Sequence, residues 1–206
     1  MPAPVRLVVW SDYLCPWCHL GTRRVRRLEE EFGDALAVEW RAFLLRPVPA
    51  GARPLEKFRA YTQSWLRPAA EPDAPEFRPW ATDAGPPSHS VPAHLVAKAA
   101  AAVGPDAFRA MHDRLLCAYF VENRDISDTE TQRALWREVG LATAAFAVAE
   151  APATRAAVLA EHRDALEQGV NGVPALMLVG NDVPTLGAMP YETYRRWIAR
   201  ALRGEI

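Results

Sequence analysis

Val5-Arg6-Leu7-Val8-Val9-Trp10-Ser11-Asp12-Tyr13-Leu14-Cys15-Pro16-Trp17-Cys18 decides the fold. Val5 to Trp10 is apolar, rich in β-branched residues and too short for a typical helix, so it reads as a buried strand. A helical pattern begins at Pro16, which places Cys15-Pro16-Trp17-Cys18 at a strand-to-helix junction. Free backbone N–H groups and the macrodipole at a helix N-terminus favour an anion, so a thiolate there is stabilised. The thiolate is the nucleophilic form of cysteine. Two thiols at this spacing can also close a small ring, as expected of a pair that exchanges electrons as dithiol and disulfide.

Leu20, Val25, Leu28 and Phe32 recur at helical spacing after the dithiol, Pro16 suits the first turn and Gly33 suits the C-terminal cap. Leu36 to Leu44 alternates as a second strand, so strand, helix and strand predict a βαβ unit with a right-handed crossover. The middle of the chain is different. Leu55 to Leu66 predicts a short helix, and Pro68 to Pro92 is dense in proline and lacks a period, predicting a long loop. Helices follow over Ala93–Val103, Asp106–Val121, Thr129–Val139, Ala142–Ala149 and Ala153–Gln168. Pro105 marks the start of the second, and Ser127-Asp128 offers a cap to the third. Strand signal returns at Ala175 to Val179 after Gly172-Val173-Pro174. A turn at Gly180-Asn181-Asp182 and a returning strand over Val183–Leu186 predict a hairpin. Pro190 then opens a last helix, Tyr191 to Leu202, with Tyr194, Trp197, Ile198 and Leu202 on one face.

Composition bounds the function. The 206 residues suffice for one domain with a sizeable core and a large insertion. A net charge of −1 removes the basic surplus that would point to nucleic acid or an anionic membrane surface. No apolar run is long enough to span a bilayer. Met1-Pro2-Ala3-Pro4 does not begin a basic region followed by a long apolar stretch and a cleavage site. With three cysteines, an odd number, the chain does not read as a disulfide framework, and the expected address is the cytoplasm. Arginine carries almost all the basic charge, Lys57 and Lys98 being the only lysines.

The chain resembles the DsbA-like branch of the thioredoxin superfamily, and within it the FrnE-like oxidoreductases. The residues carrying the resemblance are Asp12, Cys15-Pro16-Trp17-Cys18 with Gly21, Ala93-His94, Ala118-Tyr119-Phe120 through Asp125-Ile126-Ser127-Asp128, Gly169-Val170-Asn171-Gly172-Val173-Pro174 and Gly187-Ala188. It implies an α/β thioredoxin-like fold, βαβ plus ββα, with a large helical insertion. Residues 1–54 and 168–206 would form the thioredoxin-like domain and 55–167 the inserted helical domain. The resemblance also implies a cis Val173–Pro174 bond facing the dithiol, which exposes the Val173 backbone to an extended substrate. In the implied reaction Cys15 attacks a substrate disulfide and Cys18 resolves the mixed disulfide. Pro16 and Trp17 would tune the potential and line the cleft, Trp17 by touching substrate or by packing. No cofactor or metal is expected, with glutathione a candidate co-substrate. The expected partners are protein or small-molecule disulfides and dithiols, not nucleic acid and not membrane.

The chain departs from the family at Val9, six positions before Cys15, where a buried carboxylate is usual. Asp12 is the nearest alternative, and its simpler reading is a solvated or capping residue. His19 on the first helical turn would favour the Cys15 thiolate as an imidazolium. His94 begins a helix and reads as structural before it reads as site-facing. Cys117 lies on an apolar helix face and is expected as a buried small hydrophobe; Trp65, Trp80 and Trp136 are expected in the core. Cys-x-x-Cys-His also fits haem attachment, but that chemistry needs export and an axial partner. Zinc would need ligands that His89, His94 and Cys117 do not supply at a zinc spacing. Two other functions compete: a glutathione-dependent isomerase or transferase resembling 2-hydroxychromene-2-carboxylate isomerase, and a non-catalytic thioredoxin-like interaction module. Retention of both cysteines favours thiol–disulfide exchange over each.

Overall fold

Four strands form one mixed sheet in the computed structural model, which describes residues 3–49, 51, 53–181 and 183–206. Strand β1 (Val5–Ser11) lies at the centre, parallel to β2 (Leu36–Ala42) and antiparallel to β3 (Ala175–Leu178), with β4 (Thr185–Leu186) antiparallel to β3. The order is β2-β1-β3-β4. Helix α1 (Pro16–Phe32) connects β1 to β2, and α9 (Tyr191–Leu202) closes the chain. Between β2 and β3 run α2 (Leu55–Thr62), α3 (Leu66–Ala69), α4 (Val91–Val103), α5 (Pro105–Phe120), α6 (Thr129–Glu138), α7 (Ala147–Glu150) and α8 (Pro152–Glu167). This is the thioredoxin-like α/β fold with a large helical insertion, and no helix among the described residues is long and apolar enough to cross a membrane.

Alternation along β1 sorts the core onto two faces, because successive strand side chains point opposite ways. Leu7 and Val9 pack with Val25 and Leu28 of α1, Leu176 and Leu178 of β3, and Tyr194 and Ile198 of α9. Val8 and Trp10 face the other way, against Phe43, Ala165, Val170 and Ala175. The insert has its own apolar cluster, including Phe58, Trp65, Trp80, Leu115 and Trp136, and Tyr13 and Leu14 belong to it. The two residues before the dithiol are therefore embedded in the insert, which ties the insert directly to Cys15.

Several boundaries move for identifiable reasons. The second strand ends at Ala42 rather than Leu44, because its partner β1 ends at Ser11, whose carbonyl takes the Phe43 N–H at 3.0 Å as the last bond of the ladder. The Ala42 N–H donates to Glu161 Oε2 at 2.8 Å and the Leu44 N–H to His162 Nδ1 at 3.2 Å, both from α8. The helix expected over Leu55–Leu66 passes through a 3-10 turn at Gln63–Trp65 and continues to Ala69, while α4 begins at Val91 with Pro92 in its first turn, where proline is tolerated. The intervening loop is pinned by polar groups rather than by a period. Asn123 accepts from the Ala81 N–H at 2.8 Å and donates to the Arg78 carbonyl at 2.9 Å, and the Trp80 N–H donates to Thr62 Oγ1 at 2.9 Å. The last hairpin strand is shorter than expected, and Asp182 of the proposed turn lies outside the described residues.

Candidate active site

The turn between β1 and α1 is organised by Asp12. Its carbonyl accepts the Cys15 N–H at 3.1 Å, and its carboxylate accepts the N–H groups of Leu14 at 2.6 Å and Leu45 at 2.7 Å. Cys15 is thereby set at the N-cap of α1 in extended conformation, with Pro16 opening the helix. No side chain caps this end and no acid lies in the first turn, so the positive end of the helix faces the Cys15 region uncompensated. The Cys18 N–H donates to the Cys15 carbonyl at 3.0 Å, which closes the first turn around the two thiols.

Both thiols are free and buried, Cys15 being 5% exposed and Cys18 1%. Burial pushes the Cys18 thiol well above its ordinary range. The neighbouring Cys15 adds to the rise, while the Ser11 hydroxyl and the Asp12 backbone oppose it. Cys18 is thus held protonated beneath the more accessible sulfur. The Cys15 thiol points at the Val173 carbonyl, 3.4 Å away, and the Val173–Pro174 peptide bond is cis. Pro174 is seated on Gly21, one helical turn below the dithiol. A Cβ at Gly21 would lie 3.0 Å from Pro174 Cγ, so any side chain here would have to push the proline ring away by a few tenths of an ångström.

The other candidate residues divide between rim and interior. Trp17 is 37% exposed and stands at the rim beside half-buried Pro16. His19 does not supply an imidazolium. Burial pushes it down to about 4, its Nε2 lies 3.3 Å from the Glu76 carbonyl, and its ring stacks on Phe120 within the insert. Asp12 is not solvated: it is fully buried, and burial pushes its carboxyl up to about 6 against hydrogen bonds from Ser90, Leu14 and Leu45. Val9 is packed in the apolar layer, so the buried carboxylate near the dithiol comes from the turn after β1 and not from the strand. His94 is buried against the Tyr13 ring at 4.8 Å and held neutral, down to about 3. Cys117 is half-exposed beside Glu122, on the outer side of α5 rather than in the core. Trp65, Trp80 and Trp136 are core residues. Among the described residues no group of three or more His, Cys, Asp or Glu side chains is arranged to hold a metal ion.

Sequence reasoning misses two features behind the dithiol. One is a buried hydrogen-bond chain from the Tyr13 hydroxyl to His112 Nδ1 at 2.9 Å and from His112 Nε2 to Thr22 Oγ1 at 3.1 Å, joining the site turn, α5 and α1. The other is Arg24, a charged residue of α1 buried among Asp73, Glu71 and two backbone carbonyls. Charged positions on an amphipathic helix usually read as a solvated face, and no local pattern marks these as interior.

A dithiol at the first βα junction, a facing Val-Pro loop and a helical insert define a thioredoxin-like protein. The chain belongs to the DSBA-like thioredoxin domain family, which matches residues 6–199. The probable DsbA oxidoreductase of Streptomyces coelicolor is 26% identical, with a TM-score of 0.78 over 98% of this chain and 91% of that one. The cytosolic disulfide reductase DsbM of Pseudomonas aeruginosa, in a structure with GSH, is 23% identical, with a TM-score of 0.76 over 96% of this chain and 99% of that one. A solved 2-hydroxychromene-2-carboxylate isomerase shares the fold at 17% identity, with a TM-score of 0.65 and 97% of each chain covered. No curated protein matches the chain in sequence.

Proposed function

We propose that the protein is a thiol–disulfide oxidoreductase of the FrnE-like branch, using Cys15 and Cys18. The observation that carries this reading is the arrangement of Cys15: at the uncapped start of α1, 3.4 Å from the Val173 carbonyl, with Cys18 protonated beneath it. The Cys15 thiolate attacks one sulfur of a substrate disulfide. A Cys15–substrate disulfide forms as the substrate S–S bond breaks, and the other substrate sulfur leaves as a thiolate. Cys18 then loses its proton and attacks Cys15, releasing the second substrate thiolate and leaving the Cys15–Cys18 disulfide. Run backward, the same steps oxidise a dithiol. Direction follows the potential of the pair against its surroundings, with ~30 mV worth ~1.4 kcal/mol in this two-electron couple. The backbone of half-buried Val173, whose carbonyl faces Cys15, would offer an extended substrate a strand-like docking edge, and Trp17 contributes an aromatic rim. A cytoplasmic setting, with glutathione available as co-substrate, would favour the reductive direction.

The test is insulin reduction together with trapping. Cys15→Ser should abolish insulin reduction, and an unchanged rate would overturn the proposal. Cys18→Ser should accumulate mixed disulfides at Cys15, visible by intact mass, because the resolving step is lost. The isomerase fold supports a second reading in which one sulfur activates glutathione. That reading predicts a glutathione-dependent isomerisation that survives Cys18→Ser.

A further inference from the structure

We propose that Arg24 is a positioning residue that sets the Val173–Pro174 docking edge and couples it to the insert. This rests on the oxidoreductase reading above. Arg24 lies on α1 one turn beyond Gly21 and is 1% exposed, unusual for an arginine. Its guanidinium is engaged on every side. Nε and one Nη donate to Asp73, at 3.0 and 2.6 Å, and the same Nη reaches Glu71 at 2.7 Å. The other Nη donates to the carbonyls of Ala188 at 2.8 Å and Met189 at 3.1 Å.

Those two carbonyls belong to the segment that holds the docking loop. The Gly187 N–H donates to the Pro174 carbonyl at 2.8 Å, and the Tyr194 hydroxyl donates to the Gly187 carbonyl at 2.6 Å. Gly187 has φ +85, a conformation that side-chain-bearing residues rarely adopt, so the turn is locally committed to this shape. Pro174 itself rests on Gly21. One helix thus presents the dithiol at its start, seats Pro174 on its second turn and clamps the far side of the Pro174 loop through Arg24. The acids that neutralise Arg24 come from the insert, so the insert and the docking edge share one buried cation. A buried cation without its partners is strongly disfavoured, so a shift of residues 71–73 would loosen the same guanidinium that holds residues 188–189. None of these groups hydrogen-bonds to either sulfur. Arg24 therefore acts on how an extended substrate is held, and the thiol chemistry does not depend on it.

The experiment compares two disulfides. Reduced protein is mixed with excess of a peptide–2-nitro-5-thiobenzoate mixed disulfide, and release of the coloured thiolate gives a maximal rate and a half-saturating peptide concentration. Attack by Cys15 on 5,5′-dithiobis(2-nitrobenzoate), too small to use the edge, reports intrinsic reactivity. Arg24→Met should raise the half-saturating peptide concentration roughly tenfold, as expected if the displaced Val173 edge forfeits about one hydrogen bond to the peptide. Its maximal rate and its rate with the small reagent should stay within about twofold of the parent, the level at which no contact energy is lost. Asp73→Asn removes one charge without opening a cavity and should move the same constant in the same direction, which covers the case in which Arg24→Met folds poorly. A merely structural Arg24 would lower the melting temperature and leave the half-saturating concentration unchanged in both variants; that result overturns the proposal. A parent protein that releases no thiobenzoate from either reagent overturns the oxidoreductase reading instead.

Discussion

Asp12→Asn should remove a specific pH dependence from folding stability. In the folded protein burial holds the Asp12 carboxyl at about 6, against an ordinary 3.8. The folded state therefore binds this proton more tightly than the unfolded chain. A raised acid contributes stability that is complete below about pH 4 and is lost as pH climbs through about 6. The shift of about two units corresponds to about 3 kcal/mol. His19, His94 and His112 are all pushed down by burial, so their contributions run the other way and are lost as pH falls below about 6.5. The total stability curve mixes these opposing slopes, so the useful quantity is the difference between parent and variant. Asparagine cannot titrate, and its amide nitrogen would face one of the two N–H groups that the carboxylate now accepts. That mismatch is a roughly constant penalty of about 1–3 kcal/mol for an unpaired buried donor. Urea denaturation at half-unit steps from pH 4 to 7.5 should show the parent losing about 2.5 kcal/mol relative to Asp12→Asn across that range, since the unfolded carboxyl is already partly ionised at pH 4. A difference curve flat to within 0.5 kcal/mol, about the coupling error between independent sites, would refute the assigned burial of Asp12.

Three further outcomes follow from the same geometry. Gly21→Ala places a methyl 3.0 Å from Pro174 Cγ, an overpacking of about 1–3 kcal/mol offset by about 1 kcal/mol of helix propensity, so thermal unfolding should show a loss of at most about 2 kcal/mol and peptide-disulfide attack should slow. Asn123 adopts φ 54, for which asparagine is suited, and its side chain pairs with Ala81 and Arg78; Asn123→Ala should cost about 2 kcal/mol in denaturation and expose the 70–90 loop to limited proteolysis. His19, neutral above about 4, should leave the pH profile of Cys15 alkylation unchanged between pH 5.5 and 8.5 when replaced by glutamine, and a displaced profile would restore an imidazolium role.

The fold is legible in the sequence wherever periodicity and chain punctuation agree. Tyr191–Leu202 is the plainest case, with Pro190 before it and a buried stripe at Tyr194 and Ile198. The strand at Val5 and the helix starting at Pro16 are legible for the same reason, and with them the position of the dithiol. Legibility fails where a residue's environment is built by distant segments. Asp12 reads as a solvated cap because aspartate before a helix usually is one, while its burial depends on Leu45 and Ser90. His19 reads as a candidate cation because nothing local announces that Phe77, Phe120 and the Glu76 carbonyl will enclose it. Cys117 errs the opposite way, an apolar neighbourhood in sequence giving a half-exposed thiol because the helix face turns it toward Glu122. Arg24 needs the same kind of information, since both its acids and its carbonyls come from other parts of the chain.

Those distant contributions share a direction. Tyr13 and Leu14, immediately before the dithiol, pack into the insert's core, and Asp12 is closed over by Leu45 and Ser90. His19, immediately after the dithiol, is enclosed by the insert, and Arg24 draws its counter-charges from it. The insert therefore does more than cover the sheet: it fixes both flanks of Cys15-Pro16-Trp17-Cys18 while leaving Trp17 at the rim. An electrostatic consequence follows from the same packing. With His19 neutral and no acid in the first turn, the start of α1 faces Cys15 without a compensating side-chain charge from that turn. On the proposed reading, Val173 and Arg24 then lie on the route by which the arriving disulfide is held.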